Sequence, residues 1–212
     1  MRTIQTTVFK FDELSEAAKE KARAWYREGD TDDFDVEFIY EDAATIADLF
    51  GLDIRTRNVS RHGGPVRFEP NIYYSGFWSQ GDGACFEGTY RYKAGALKAV
   101  KNYAPQDAEL HAIVTALQAV QKKYFYRLRA SCNHRGHYYH SGCMSVDVEY
   151  QGDDCRDVSR DDEQEITDQL RLFADWIYDR LEADYDWHNA DEQVDDSIIA
   201  NEYEFTEEGE RA

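Results

Sequence analysis

An α+β fold, an antiparallel β-sheet covered by amphipathic helices, follows from three features of the sequence. Apolar residues recur at helical spacing toward both ends of the chain and again over 106–123. Residues 52–92 and 124–150 switch to a period of two, punctuated by glycine and proline. No internal repeat and no long Pro/Ser/Gly linker divides the chain, so residues 1–212 are expected to form one domain.

Thr3 to Phe11 alternates loosely and predicts a first strand. Asp12 and Ser15 are cap residues for a helix in which Leu14, Ala18, Ala22 and Trp25 share a face, ended by Gly29. A second helix is predicted over Asp35 to Phe50, carrying Ile39, Ala43, Ile46 and Ala47 inward, with Gly51 closing it. Leu52 to Val59, Val66 to Tyr74 and Gly83 to Tyr92 read as strands, with Arg61 to Pro65 as a turn and Pro70 marking an edge or bulge. Two helices follow, Ala96 to Tyr103 and Gln106 to Lys123, the second starting after Pro105. Strands return at Tyr124 to His134 and Cys143 to Tyr150, joined by the polar loop Arg135 to Gly142. Their alternation places Arg127 and Arg129 on one face of the sheet. From Glu163 to Asp184, Ile166, Leu170, Phe173, Ile177 and Leu181 define the firmest amphipathic helix, and Ala190 to Asn201 and Glu202 to Thr206 give a last helix and strand.

Charge bounds the function. With 24 Lys+Arg against 43 Asp+Glu, the net charge of −19 disfavours direct binding to DNA through its phosphates. The charge is segregated: residues 51–140 hold 13 basic and 6 acidic groups, while residues 141–212 hold 5 and 24. No apolar run is long enough for a membrane span and the N-terminus lacks a signal-peptide core, which predicts a cytoplasmic protein without a membrane partner. In that compartment Cys85, Cys132, Cys143 and Cys155 are expected as free thiols.

The stretch Asn71 to Tyr92 gathers Tyr73, Tyr74, Phe77, Trp78, Phe86, Tyr90 and Tyr92 around the turn Gly81-Asp82-Gly83. Paired glycines between aromatic strands allow close approach of a ligand or of another strand. Asp82 is a candidate general base, and the glycines are candidate phosphate cradles through their N–H groups, although no strand-to-helix step surrounds them as in a Walker loop. The loop Cys132 to Cys143 holds His134, His137 and His140 between two thiols, a density that raises zinc, but no CxxC pairing accompanies it. Its plainer reading is two small buried cysteines on facing strands. No nucleophile elbow is present, and nothing in the sequence requires a cofactor.

Segments Ser75 to Phe77, Ser79 to Gly88, Leu97 to Gln106, Ser141 to Val148 and Asn201 to Thr206 resemble a family of accessory proteins of tailed bacteriophages. Members are sometimes labelled antitoxins of a toxin–antitoxin system. The resemblance implies a protein made in the cytoplasm of an infected bacterium and not built into the virion, a setting in which small acidic non-enzymatic proteins block host factors. The partner is then a host defence or toxin protein, or the small molecule it uses.

Two readings follow. In the first, the basic and aromatic sheet sequesters a small anionic nucleotide-like ligand: Tyr74, Trp78 and Tyr138 stack, Arg91, Arg127, Arg129 and Arg135 pair with phosphate, and Gly81, Asp82 and Gly83 form the turn against it. In the alternative, carboxylates from Asp168 to Asp196 imitate a nucleic-acid backbone and cover a host protein. A homodimer is compatible with either.

Overall fold

The structure is a computed structural model that describes residues 7–29, 36–59, 66–153 and 156–212. The start of the first expected strand, Asp35, the Arg61 to Pro65 turn and Cys155 lie outside these residues. From the N-terminus run β1 (Phe9–Lys10), α1 (Glu16–Gly29), α2 (Glu37–Phe50), β2 (Leu52–Ile54), β3 (Thr56–Val59), β4 (Arg67–Pro70) and β5 (Ile72–Ser75). Then come β6 (Gly83–Phe86), β7 (Gly88–Arg91), α3 (Ala96–Tyr103), α4 (Ala108–Lys123), β8 (Leu128–His134) and β9 (Met144–Tyr150). The chain ends with α5 (Arg160–His188), α6 (Asp191–Ala200) and β10 (Glu204–Phe205). Helices and antiparallel strands together make the fold α+β. No described helix is long and apolar enough to cross a membrane.

Two compact units can be told apart, Val36–Leu181 and Met1–Asp35 with Glu182–Ala212. In the smaller one, β1 pairs antiparallel with β10, and Phe11, Leu14, Ala18, Ala22, Val194, Ile198 and Phe205 form a core that Trp25 and Tyr203 edge at 5.2 Å. Arg23 grips Asp195 with two hydrogen bonds, at 2.6 and 2.7 Å, and Arg27 donates to Asp191. Two carboxylates of the acidic C-terminal array are thereby committed to internal pairing.

The larger unit is built on three extended segments, each expected as one strand and each changing partner at its midpoint. Arg55, Asn71 and Glu87 are the three break points, and their backbones close a ring: Arg55 N–H to Glu87 O at 2.9 Å, Glu87 N–H to Asn71 O at 3.0 Å, Asn71 N–H to Arg55 O at 2.7 Å. On one side of each break the segments pair as β2 with β7, on the other as β3 with β4 and β5 with β6. Every main-chain donor that the interruption removes from a ladder is thus satisfied within the ring.

Strand order β2-β7-β8-β9 gives the main sheet. One face presents Leu52, Ile54, Tyr90, Leu128, Ala130 and Cys132, all buried, and Phe50 and Phe173 belong to the same core, meeting edge to face at 5.0 Å. The opposite face is polar, with rows Arg91–Arg129–Glu149 and Asp53–Thr89–Ser131–Asp147 across the register. Such alternation is that of an antiparallel sheet with one solvated face. Gly51 ends α2 at φ +93°, and a Cβ there would lie 2.1 Å from Arg91 O, so only glycine fits where helix and sheet meet.

Candidate functional site

Of the ten residues expected at the site, seven lie on the β5–β6 hairpin and the β8–β9 loop and three lie elsewhere. Tyr74, Trp78, Gly81, Asp82 and Gly83 belong to the β5–β6 hairpin, and Arg135 and Tyr138 to the β8–β9 loop, which packs against it. The Tyr138 ring approaches the α-carbon face of Gly81, with its Cδ1 3.4 Å from where a Cβ would stand. A Cβ on Gly83 would meet the His140 Cβ at 2.6 Å.

Arg91, Arg127 and Arg129 sit at the other end of the main sheet. Arg91 pairs in register with Arg129, whereas the loop leaves β8 at His134, five residues on and roughly 17 Å away at the rise of a strand. Arg127 precedes β8, because Tyr124 follows α4 as its cap and Phe125 and Tyr126 turn the chain with φ of 53° and 62°. Beyond the strand end the Arg127 carbonyl still accepts the Gln151 N–H at 2.8 Å. Arg127 lies 4.0 Å from Asp153 and Arg129 3.9 Å from Glu149, and the polar sheet face around them is mixed in charge. The basic sequence block does not make a basic sheet face.

Asp82 organises the hairpin turn. One of its oxygens, Oδ2, accepts the Trp78 and Ser79 N–H groups at 2.9 and 2.6 Å, and its own N–H donates to Ser79 O at 3.1 Å. The Trp78 and Ser79 N–H groups are thereby spent on this carboxylate, which fixes the turn. Its consequence is positional: Trp78 is 80% exposed and Tyr138 is 63% exposed.

Behind the turn, aromatic rings lock the hairpin in two chains. Tyr74 stacks on Phe77 at 5.7 Å and Phe77 meets Tyr178 of α5 in a tilted pair at 5.6 Å, while the Tyr178 hydroxyl donates to Gly76 O at 3.2 Å. Burial pushes the Tyr74 phenol up. On the other strand face Tyr73 stacks on Tyr139 at 5.5 Å beneath the Arg57 guanidinium, with His134 against Tyr139.

The histidines of the loop have separate duties. His134 Nε2 bonds the Tyr138 carbonyl at 3.0 Å, and His140 Nε2 lies 3.2 Å from Cys143 Sγ. Among the described residues no three His, Cys, Asp or Glu side chains are placed to share a metal ion. Cys132 is buried opposite Val146, whereas Cys143 stops short of β9 in a 3₁₀ turn and is partly exposed, so the two do not face each other on neighbouring strands. Ser141, Arg171 and Tyr178 carry no local signal as site residues, and Asp175 is expected only as part of the acidic outer face of α5.

The site is thus a surface with two exposed aromatic rings, Trp78 on the β5–β6 hairpin and Tyr138 on the β8–β9 loop, held on an α+β unit. Residues 36–191 match the model of the family described as Domain of unknown function (DUF8835), and the chain belongs to that family. No curated protein and no solved structure matches it.

Proposed function

We propose that this chain is a non-enzymatic binding protein that antagonises a host defence or toxin in the cytoplasm of an infected bacterium by sequestering a small anionic nucleotide-like ligand. The observation that carries the reading is the exposure of Trp78 on the hairpin turn together with that of Tyr138, whose ring lies against Gly81 of the same turn. Two exposed flat rings on separately anchored loops are the arrangement that grips a base, and each base–aromatic stack is worth about 1–3 kcal/mol. Arg135 is exposed on the same loop, with no carboxylate partner among the described residues, and supplies the phosphate fork. In this version Arg91, Arg127 and Arg129 have no part in the contact. The phage setting rests on the sequence resemblance alone. Fluorescence titration with adenosine and guanosine 5′-phosphates tests the reading: binding should be lost in Trp78→Ala/Tyr138→Ala and kept in Arg127→Ala/Arg129→Ala. Equal affinity in both double variants would remove the site.

A second reading has its own observation. Asp107 and Glu109 at the start of α4 and Asp175 and Asp179 on α5 crowd one another, so that burial and like charge together push the Glu109 carboxyl up. A carboxylate surface of this kind supports the alternative of a nucleic-acid mimic that covers a basic host protein. Asp191 and Asp195 are excluded from it by Arg27 and Arg23.

A further inference from the structure

The loop and the hairpin enclose a thiol that the ligand reading does not use. Cys143 is partly exposed, and its Sγ stands 3.2 Å from His140 Nε2, within reach for proton transfer. The imidazole is fixed from both sides: its backbone abuts Gly83, and its Cε1 and Nδ1 lie 3.0 Å from where a Cβ on Gly142 would stand. From α5, Asp175 stands near enough to His140 to act on it electrostatically, and Arg171 donates to the carbonyl of Met144, the residue after Cys143. The Arg171 Nε is buried without a hydrogen-bond partner, an unused cationic donor beside this cluster. Cys85 and Cys132 are themselves closed off, and burial pushes both up to about 12.

We propose that Cys143 is a nucleophilic thiol, with His140 as its base, that captures a soft carbon electrophile covalently. The thiol proton passes to His140 Nε2, the sulfur forms a C–S bond, and the leaving group departs with the electron pair of the bond it breaks. The imidazolium then returns its proton to solvent. A thiol becomes a nucleophile when a general base stands within hydrogen-bond reach of it, and the Cys143 Sγ–His140 Nε2 contact is that arrangement. This inference does not rest on nucleotide binding, and its test uses the ligand-free protein.

Iodoacetamide is the probe, with peptide mapping to locate the adduct. In the native wild-type chain at neutral pH, Cys143 should be alkylated at least about tenfold faster than glutathione under the same conditions, with Cys85 and Cys132 unmodified. His140→Gly should slow Cys143 to the glutathione rate or below, and added imidazole should restore it, which a merely structural histidine would not allow. A wild-type rate no faster than glutathione would overturn the proposal whether or not the variant folds. So would an unchanged rate in His140→Gly.

Discussion

Gly83 and His140 touch at the level of their main chains: the space a Cβ on Gly83 would take is already occupied by the His140 Cβ at 2.6 Å and Cα at 2.9 Å. This contact seats the β8–β9 loop on the hairpin, and it explains why a glycine stands in a strand where it contributes no packing of its own. Gly83→Ala should therefore cost about 2 kcal/mol in urea unfolding, as an overpacked site does. It should also slow or abolish ligand binding, because Tyr138 rides on the displaced loop.

Asp82 sets the pose of Trp78 through two backbone N–H groups. Asp82→Ala should destabilise by about 1–2 kcal/mol, from the loss of charge-assisted bonds to a turn, and weaken binding along with it. Asp82→Asn keeps an oxygen acceptor and should retain most of both. A catalytic carboxylate would show the reverse, an inactive but fully stable amide variant, so unfolding and binding curves on the same two proteins decide the matter.

The Gln121 carboxamide is fully buried and stands in for a missing strand, accepting the Leu128 N–H at 3.1 Å and donating to Leu128 O at 2.9 Å. It holds the entry to β8 while Phe125 and Tyr126 take left-handed conformations. Gln121→Leu should cost about 3 kcal/mol, since both polar atoms of Leu128 would be left buried and unpaired. The urea midpoint reports it, and ligand binding should be unaffected in the protein that remains folded.

Two sets of carboxyls give opposite pH behaviour. Hydrogen bonds from Lys123, Ser159 and Tyr124 hold Asp162 below the usual carboxylate range. Its folded pKa is depressed, so its stabilisation is present above the unfolded value of about 4 and is lost as pH falls through the folded value. Asp162→Asn should lower stability at neutral pH and flatten the acid limb of the stability curve. Glu109 and Asp175 are pushed up, chiefly by burial, so they oppose folding at neutral pH and cease to do so in acid. Glu109→Gln should raise the urea midpoint at neutral pH and leave it unchanged below about pH 4.

Helices were the legible part of this fold. The spacing of Ile166, Leu170, Phe173, Ile177 and Leu181 found α5, although it reaches back to a cap at Ser159, where the hydroxyl accepts the Asp162 N–H at 3.2 Å. Strand extents were also legible, since residues 52–59, 67–75 and 83–91 follow the alternation closely. Their partner switch at Arg55, Asn71 and Glu87 was not, because period two says which way a side chain points and nothing about which strand lies beside it. The same gap misled the site. Arg127 and Arg129 alternate correctly in sequence, but the left-handed residues Phe125 and Tyr126 shorten the strand, and acidic neighbours on β9 neutralise the face. The aromatic hairpin was legible because glycine, asparagine-type turns and exposed tryptophan are local signals, whereas Cys143, His140 and Asp175 meet only through tertiary packing.

The most direct test is native mass spectrometry of the chain incubated with the acid-soluble metabolite pool of bacteria, infected and uninfected, alongside Trp78→Ala/Tyr138→Ala. The account predicts a phosphate-bearing adduct on the wild-type protein that is absent from the double variant. No adduct from either pool, or one retained by the variant, would contradict it.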